Sequence, residues 1–537
     1  MSVLIFLILS YILLSFSLYL LFPKAGVPAV KGLIPGVNFM EWCKLIGRKP
    51  SYALWLLFPI VNIFIYCGMA VDLVRSFDKF KFWHSAVAVI YAPAIFTYIA
   101  RNQKDKYVSP ILPREAEYRQ QIAEAIKTNK PRQLEKLTKS SPYRKSTIRE
   151  WTEAIVFAVF AAAFIRMFLI EAYKIPTPSM EGSLLVGDFL FVSKAHYGIR
   201  TPMTIAMFPL LHNTIPLIGG ESYLEKPSLP YCRLPALEKI DRNEPFVFNW
   251  PVGDSVYLAP DRSYTAYQVK TNPVARRDVG DAKLITRPID KKDHYIKRCI
   301  AIAGDSLEVR NSQVYINGVA AENPRKLLHT YLVTGLEKVS PSWLDDHDIA
   351  FDERLRGRPV FLNLTKEQFD AMGKMEGIVA QPMFFDQMVD TLKRWYPREQ
   401  FPVSDLFPHD PVHFGKWTVD NYGPIYIPKK GATVALKPET IALYRRVIDV
   451  YENNEFKEEN GQYIINGVPS TTYTFKQDYF WAMGDNRHNS EDSRAWGFVP
   501  HDHVVGKPLF IWFSTKNGNM SNGINWNRIF TSAYKMH

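Results

Sequence analysis

Three short segments hold side chains that could carry out acyl-transfer chemistry. The first is residues 175–180, Ile-Pro-Thr-Pro-Ser-Met, in which Ser179 offers a hydroxyl nucleophile. Pro176 and Pro178 favour an extended, stiff backbone, which would hold that hydroxyl in one orientation. The segment closely follows a hydrophobic stretch, residues 154–170. Ser179 is therefore expected near a membrane surface, although proline-rich links also follow membrane spans that have no catalytic role.

The second segment is Tyr-Ile-Lys-Arg at residues 295–298, inside a predicted strand. The alternation of a strand sends Lys297 and Arg298 to opposite faces. Lys297 stands between Ile296 and Cys299, and a lysine buried there loses its proton more readily than one in water. Taken alone, the pattern also fits a lysine whose amine reaches back to solvent.

The third segment, residues 484–494, reads Gly-Asp-Asn-Arg-His-Asn-Ser-Glu-Asp-Ser-Arg between two apolar flanks. Polar groups packed among apolar ones must satisfy their own donors and acceptors. The segment is therefore predicted to form a folded, hydrogen-bonded turn. A purely structural turn is the alternative.

Together the three segments resemble the type I signal peptidases, membrane-bound serine proteases that remove leader peptides from exported proteins. The matching pieces occur in the family's order, and jointly they are highly specific. The resemblance covers about residues 166–318 and 463–513, less than half of the chain. The pieces themselves are residues 175–180, 187–188, 295–298 with 304–305 after them, and 484–494.

The resemblance implies a serine/lysine dyad that works through an acyl-enzyme intermediate. Ser179 would be the nucleophile and Lys297 the general base, which must be unprotonated to act. The backbone N–H of Ser179 and the hydroxyl of Thr177 would stabilise the oxyanion. The supporting residues that the resemblance implies are Ser490, which orients the Lys297 amine, and the pairs Asp485 with Arg298 and Asp492 with Arg494.

The resemblance also implies substrates with small residues, such as Ala, at the first and third positions before the cut. A shallow apolar pocket excludes larger side chains by steric overlap. The same side chains could instead be ordinary core packing. The predicted pocket residues are Tyr173, Ile175, Met180, Leu184 and Ile296. His488 stands where the family commonly has Asp, which could alter the local response to pH without removing a dyad member.

These side chains require a β body to position them. Residues 188–194, 245–250, 294–302, 306–310, 313–316 and 509–513 read as short strands, with tight turns at Asn317-Gly318 and Asn466-Gly467. The predicted fold is a mainly β catalytic ectodomain of antiparallel sheets, partly barrel-like, anchored by N-terminal transmembrane α-helices and bearing a mixed α/β insertion. The predicted segments are three membrane helices in 1–100, a basic loop at 101–150, a fourth helix at 151–171, catalytic parts at 172–320 and 463–537, and the insertion, or cap, at 321–462.

Four stretches are apolar and long enough to span a bilayer: residues 1–22, 51–71, 82–100 and 154–170. The first lacks a basic n-region, which favours a span over a cleaved signal. The loop at 101–150 has 13 Lys and Arg against 6 Asp and Glu, and positively charged loops stay in the cytoplasm. We therefore expect a multi-pass protein of the inner membrane with its catalytic domain outside. Three basic residues in the link 72–81 argue against this layout.

The net charge of +12 comes largely from that loop, so nucleic-acid binding is not expected. The expected partners are exported preproteins with signal peptides, membrane lipid and the secretion translocon. No cofactor or metal is expected, and His501-Asp502-His503 is interpreted as a surface turn. Cys232 and Cys299 could form a disulfide or remain two separate thiols.

Two other classes of protein fit parts of the sequence. A self-processing Ser/Lys protease, as in the self-cleaving repressors, would need a DNA-binding segment in place of four spans. A membrane-anchored binding or transport protein would use the three segments only as structural turns. Cleavage of a separate peptide distinguishes the predicted enzyme from both.

Overall fold

The structure is a computed structural model that forms two compact units, Met1–Phe164 and Ile165–His537. The residues that the structure describes are 2–57, 61–140, 143, 147–207, 211, 213, 215, 221–259, 262–347, 349, 351, 355–396 and 406–533.

The first unit is helical and packs around an apolar core that includes Leu18, Trp42, Leu73 and Phe96. The indole N–H of Trp42 donates to the carbonyl oxygen of Met69 at 3.1 Å, so the buried ring has a polar partner. The helices of this unit are Ser2–Leu21, Val37–Ile46, Val61–Ser76, Phe82–Arg101, Ile111–Lys127, Pro131–Ser140 and Thr147–Phe164.

Two of the four predicted spans coincide with helical segments that are long and apolar enough to cross a membrane, Ile8–Ala25 and Phe82–Arg101. The second predicted span is divided into a 3₁₀ helix, Pro50–Leu57, and the helix Val61–Ser76, with 58–60 outside the described residues. The fourth, residues 154–170, continues past its helix into a π turn and ends in a strand. Four crossings and their orientation therefore remain a prediction.

The second unit is built on a seven-stranded antiparallel sheet, as the short aromatic and β-branched segments predicted. Lys297 lies in the strand His294–Ala301 of this sheet. In spatial order the strands are Ile170–Lys174, Asp188–Ser193, Val504–Ser514, Pro245–Asn249, His294–Ala301, Tyr479–Met483 and Val499–Pro500.

Strand alternation divides the sheet's apolar side chains between two cores. Phe246 and Cys299 belong to one buried cluster, whereas Val247 and Ile296 belong to another. The second cluster also contains Met180, the residue that follows the candidate nucleophile. The serine segment is thus attached to the sheet through its apolar neighbour.

Two hairpin turns confirm the Asn-Gly prediction. Asn317 and Gly318 have φ values of 53° and 81°, and Asn466 and Gly467 have 52° and 80°. Positive φ at both central residues matches the twist of the flanking strands, which explains the Asn-Gly preference. The sheets that contain these turns comprise Ser306–Arg310, Gln313–Ile316, Val319–Ala320 and Tyr422–Tyr426, and Phe456–Glu459, Gln462–Ile465 and Val468–Pro469.

The predicted insertion, residues 321–462, includes its own sheet of His329–Thr334, Val360–Leu364 and Val379–Pro382. Its strand Tyr422–Tyr426, however, pairs with Ser306–Arg310 of the β body. The helices within it are Pro341–Asp346, Lys366–Met372, Phe385–Trp395, Pro411–Phe414 and Pro438–Arg446. The boundaries of a separate cap domain remain a prediction.

Smaller elements complete the second unit. They are the helices Ala266–Thr271, Pro273–Val279 and Ser493–Trp496, and the strands Thr204–Met207, Tyr223–Ser228, Ser255–Leu258, Ser263–Thr265, Leu284–Thr286, Thr433–Ala435 and Thr472–Thr474.

Two local expectations are decided by the structure. All four cysteines are free thiols, so Cys232 and Cys299 do not form a disulfide. Residues His501–His503 do form a 3₁₀ turn, but Asp502 and His503 are buried, and the prediction of a surface turn is wrong on that point. Lys292 and Asp502 occupy the two ring nitrogens of His503, which accounts for its burial.

Candidate active site

Ser179 lies in a short 3₁₀ turn, Pro178–Met180, that begins directly after the extended residue Thr177. The Ser179 residue is 8% exposed, and its neighbour Met180 is almost completely buried. Asn486 holds this turn at two points. Its backbone N–H donates to the carbonyl oxygen of Ser179 and its amide nitrogen donates to that of Pro178, each at 3.1 Å. The polar run at 484–494 is therefore hydrogen-bonded to the serine turn.

Gly484 permits this close approach. A Cβ atom at Gly484 would lie 2.4 Å from the Ser179 carbonyl oxygen and 2.2 Å from the Ser490 hydroxyl oxygen. Both distances are shorter than real Cβ atoms tolerate. The glycine of the third segment is thus required by the packing against the nucleophile turn.

The residues after the serine are held by Asp188. This buried carboxylate accepts from the backbone N–H of Leu185 at 2.8 Å and from the Ser514 hydroxyl at 2.7 Å. Arg528 donates to both of its oxygens, at 3.0 and 2.6 Å. The sequence gives Asp188 a place in a matching piece but no role, and it does not mark Arg528, because no local pattern distinguishes an isolated arginine so far along the chain.

The side chain of Lys297 contacts that of Ser179 in the 3₁₀ turn. The Lys297 Nζ atom donates to the Ser179 Oγ atom at 2.7 Å and to the carbonyl oxygen of Ile296 at 3.1 Å. The lysine residue is 3% exposed. Burial lowers the pKa of the Lys297 amine to about 8, against the smaller opposing effect of Asp492, Glu491 and Asp485. A substantial neutral fraction therefore exists near physiological pH.

Lys297 keeps a lowered pKa because the nearby carboxylates are engaged elsewhere. Asp485 forms two hydrogen bonds with Arg298, at 2.7 and 2.6 Å. Asp492 forms two with Arg494, at 2.9 and 2.8 Å. All four side chains are buried. In such bidentate pairs the arginine offsets the negative charge of the carboxylate, which would otherwise stabilise the protonated form of Lys297.

Ser490 and Thr177 border the same cavity as the dyad. Ser490 Oγ is buried and has no hydrogen-bond partner within the described part of the chain, although it is near enough to Asp492 to lower the pKa of that carboxyl. Its predicted contact with the Lys297 amine is therefore not made in this arrangement. Thr177 is exposed and is one of the residues that line the cavity.

The dyad opens into a cavity of about 1460 Å³. Four of the five predicted pocket residues line it, namely Tyr173, Ile175, Met180 and Ile296. Leu184 does not; it is fully buried and packs in the apolar cluster beneath. This residue is therefore placed in the core, the alternative that the sequence left open.

Much of the cavity wall was not anticipated. It includes parts of the helices Ala266–Thr271 and Pro273–Val279, and residues 406–411 from the predicted insertion. The backbone N–H of Phe407 donates to the carbonyl oxygen of Arg494 at 2.8 Å, which attaches this wall to the polar run. Neither segment has a recognisable motif, so only the folded chain reveals that they face the dyad.

His488 has a specific partner. Its Nε2 atom lies 2.8 Å from Asp420 Oδ1, and both side chains are buried. Burial would raise the pKa of Asp420, but hydrogen bonds from His488, Ser312 and the Phe385 backbone bring it down to about 2. His488, which departs from the family pattern, is therefore hydrogen-bonded to Asp420, a residue of the predicted insertion.

Comparison with known families gives a direct match. The profile described as "Signal peptidase, peptidase S26" matches residues 148–338 and 429–513, just over half of the chain. The chain belongs to this family. Residues 339–428 fall between the two matched parts, and residues 30–110 match a family of unknown function (DUF5684).

Curated relatives agree with this assignment. Signal peptidase I of Buchnera aphidicola is 24% identical over 380 residues, covering 70% of this chain and 79% of the relative. That of Haemophilus influenzae is 24% identical over 382 residues, covering 70% and 74%. That of Helicobacter pylori is 21% identical over 394 residues, covering 71% and 91%.

The assignment as a type I signal peptidase makes the chain a serine endopeptidase that removes signal peptides from preproteins. The alternative of a non-catalytic binding or transport protein is thereby excluded. The family is membrane-associated, in keeping with the two apolar helical segments of the first unit. The roles of individual residues are not given by these matches.

Proposed function

We propose that this signal peptidase cleaves by a dyad of Ser179 and Lys297, through an acyl-enzyme intermediate. The single observation that supports the proposal most is the 2.7 Å separation of Lys297 Nζ and Ser179 Oγ in a buried setting. A lysine with a pKa of about 8 can supply a neutral amine at physiological pH. Because a hydroxyl can both donate and accept, the same contact serves when the amine has lost its proton.

In the first step the neutral Lys297 amine accepts the Ser179 proton while Ser179 Oγ bonds to the carbonyl carbon of the scissile peptide. The backbone N–H of Ser179 and the Thr177 hydroxyl stabilise the oxyanion, each contributing on the order of 3 kcal/mol. Lys297 then donates its proton to the leaving amine. The mature protein departs and the signal peptide remains as an ester on Ser179.

In the second step Lys297 accepts a proton from a water molecule, which attacks the ester carbonyl. Collapse of the second tetrahedral intermediate releases the signal peptide, and the lysine returns the proton to Ser179. We also propose that the Ser490 hydroxyl, which does not contact the amine in this arrangement, turns towards it and orients it during both steps. The pairs Asp485 with Arg298 and Asp492 with Arg494 fix the strand and the turn that hold the dyad together.

Small-x-small sites are the substrates that this cavity favours. Tyr173, Ile175, Met180 and Ile296 give it apolar walls, and the apolar side chains in the cluster beneath are fully buried. Because the wall side chains are closely packed and cannot move aside, they exclude large substrate side chains by steric overlap. Leu184 contributes indirectly, by packing beneath them.

We place the reaction at the outer face of the cytoplasmic membrane, in a protein that spans the bilayer several times. The short chain distance between the helix Thr147–Phe164 and Ser179 supports a cut made close to the lipid surface. Membrane lipid and the secretion translocon are the partners that this position implies.

The test uses the full-length protein in lipid-supplemented detergent and a precursor that ends in Ala-x-Ala. Ser179→Ala and Lys297→Met each lower the cleavage rate by at least about 10³-fold. A precursor with Phe in place of the last Ala is cut poorly by the wild type. Mass spectrometry of the released mature N-terminus identifies the bond that is cleaved.

Lys292→Met is the matched control. Lys292 is as buried as Lys297, and its pKa is also lowered to about 8 by burial, but its amine contacts His503 and a backbone carbonyl instead of a serine. Cleavage is expected to survive in this variant. Specific cleavage by a folded Lys297→Met protein at the wild-type rate would refute the dyad.

A further inference from the structure

Arg487 is a buried cation that has no ion pair within the part of the chain that the structure describes. The residue is 3% exposed, and its Nε and Nη1 atoms have no hydrogen-bond partner within the described residues. It also borders the catalytic cavity. Buried donors that stay unpaired are costly, so a guanidinium in this setting needs an explanation.

The carboxylates around Arg487 are already occupied. Asp485 and Asp492 each accept two hydrogen bonds from another arginine. Asp420 accepts from His488, Ser312 and the Phe385 backbone. Glu491, on the cavity wall, accepts from Arg262 and Gln268. The charges of Asp485 and Asp492 raise the pKa of Arg487 from a distance, but no described carboxylate forms an ion pair or a hydrogen bond with it.

The backbone holds Arg487 in place. Its N–H donates to the carbonyl oxygen of Leu328 at 3.2 Å, and its carbonyl oxygen accepts from Arg494 at 2.7 Å. The side chain therefore cannot find a partner by shifting the turn. Burial and the nearby Arg494 lower the pKa of Arg487 to about 10, so it stays charged at neutral pH.

The electrostatic effect of this charge is visible on a neighbour. Burial, followed by the charges of Arg487 and His488, lowers the pKa of His329 to about 4. His329 is thus neutral under physiological conditions. The positive charge of Arg487 contributes to this shift, so it disfavours a second cation beside it and would attract an anion.

We infer that Arg487 binds the carboxylate of an Asp or Glu side chain of the preprotein, within the first few residues after the cleaved bond. The inference rests on the proposed dyad, because it places the scissile carbonyl at Ser179. A peptide that passes through the cavity extends on both sides of that point. The apolar wall suits the small residues before the cut. The cavity also has a polar wall, formed by Arg487, His488 and Asn489, and this wall is left to the mature segment.

An acidic side chain fits this wall better than a neutral one. It supplies two acceptor oxygens to the guanidinium, whose planar fork matches a carboxylate. The dry setting strengthens the contact, since solvent screening is weak there. A glutamine of the same shape can accept at one oxygen only and adds no charge.

The test compares peptides that differ only by Glu or Gln at the first, second or third position after an Ala-x-Ala site. The full-length wild type is expected to cut the Glu peptide about tenfold faster, in kcat/KM, at one of these positions. In Arg487→Gln the Glu-to-Gln ratio falls to about one, and in Arg487→Lys it is intermediate. Because a ratio is measured, any general loss of activity in a variant cancels.

Arg276→Gln, on the exposed side of the helix Pro273–Val279, is the matched control and keeps the wild-type ratio. If Arg487→Gln does not fold, the wild type alone suffices, because product peptides that begin with Glu-containing sequence should inhibit about tenfold better than their Gln counterparts. Equal cutting and equal inhibition by both peptides at all three positions would overturn the subsite. Cutting of the Gln peptide that does not depend on Lys297 would instead overturn the dyad.

Discussion

Lys297 and Lys507 are both buried in the same sheet, yet their surroundings shift the pKa of the two amines in opposite directions. Lys297 faces a serine hydroxyl and a carbonyl, and burial lowers its pKa to about 8. Burial would also lower the pKa of Lys507, but hydrogen bonds from its amine to Glu238 and Glu244 raise it. Burial alone therefore does not make a base. Whether a buried lysine amine keeps its proton depends on whether neighbouring carboxylates pair with it.

Three carboxylates act on the Lys297 amine, Asp492, Glu491 and Asp485, and only two act on Lys507. The difference is that arginines engage Asp485 and Asp492, both completely buried, before they can pair with the lysine. In the catalytic region two carboxylates are therefore paired with arginines, and the Lys297 amine is left able to lose its proton. Each prediction below tests one part of that arrangement.

The largest effect is expected when a buried arginine pair is broken. Arg298→Met leaves Asp485 as an uncompensated buried charge, which lowers the free energy of unfolding by about 3–5 kcal/mol. The freed carboxylate also raises the pKa of Lys297, so the remaining activity shifts to higher pH. Chemical denaturation and a pH profile measure the two effects, and an unchanged profile in a folded variant would contradict the account.

The pH dependence of the wild type is the next largest effect. Lys297 must be neutral to act, so kcat/KM rises with pH below a pKa of about 8 and levels off above it. The expected increase between pH 6 and pH 8 is about 50-fold, from the fraction of neutral amine. Cleavage of one Ala-x-Ala precursor across this range measures it. A flat profile would show that the amine is not the base.

Lys507→Met is expected to lower stability without abolishing cleavage. Glu238 and Glu244 lose their shared cation, and because both are partly exposed the cost is about 1–3 kcal/mol. The kcat/KM of the folded variant stays close to that of the wild type, in contrast to Lys297→Met. Thermal unfolding and precursor cleavage on the same preparation make the comparison. Loss of cleavage without loss of stability would refute the separation of the two regions.

The smallest effect is expected at Ser490. Its hydroxyl oxygen is buried and has no hydrogen-bond partner among the described residues, so Ser490→Ala should change the free energy of unfolding by less than about 0.5 kcal/mol. If Ser490 orients the Lys297 amine during catalysis, kcat/KM falls about tenfold. Ser493→Ala, which removes a hydroxyl bonded to the Ala482 backbone, is the contrasting control and should mainly affect stability. An unaltered rate in Ser490→Ala would remove Ser490 from the mechanism.

The sequence predicted the strands of the second unit because aromatic and β-branched runs are local signals, and it predicted both Asn-Gly turns for the same reason. It predicted the first unit less well. The basic loop expected at 101–150 contains two helices, Ile111–Lys127 and Pro131–Ser140, which are separated near Asn129, where φ is 48°. Composition alone does not locate such a break.

What the sequence determined by itself is the set of chemical groups and their family. Ser179, Lys297 and the run at 484–494 occur in one order, and that order identifies a signal peptidase without reference to coordinates. What only the tertiary structure decided is which groups meet. Ser179 and Lys297 are 118 residues apart in the chain. Arg487 has no ion pair within the described residues, because the carboxylates around it accept hydrogen bonds from other groups. The physical reason is that proton affinity depends on burial and on neighbours from distant segments, which no local pattern records.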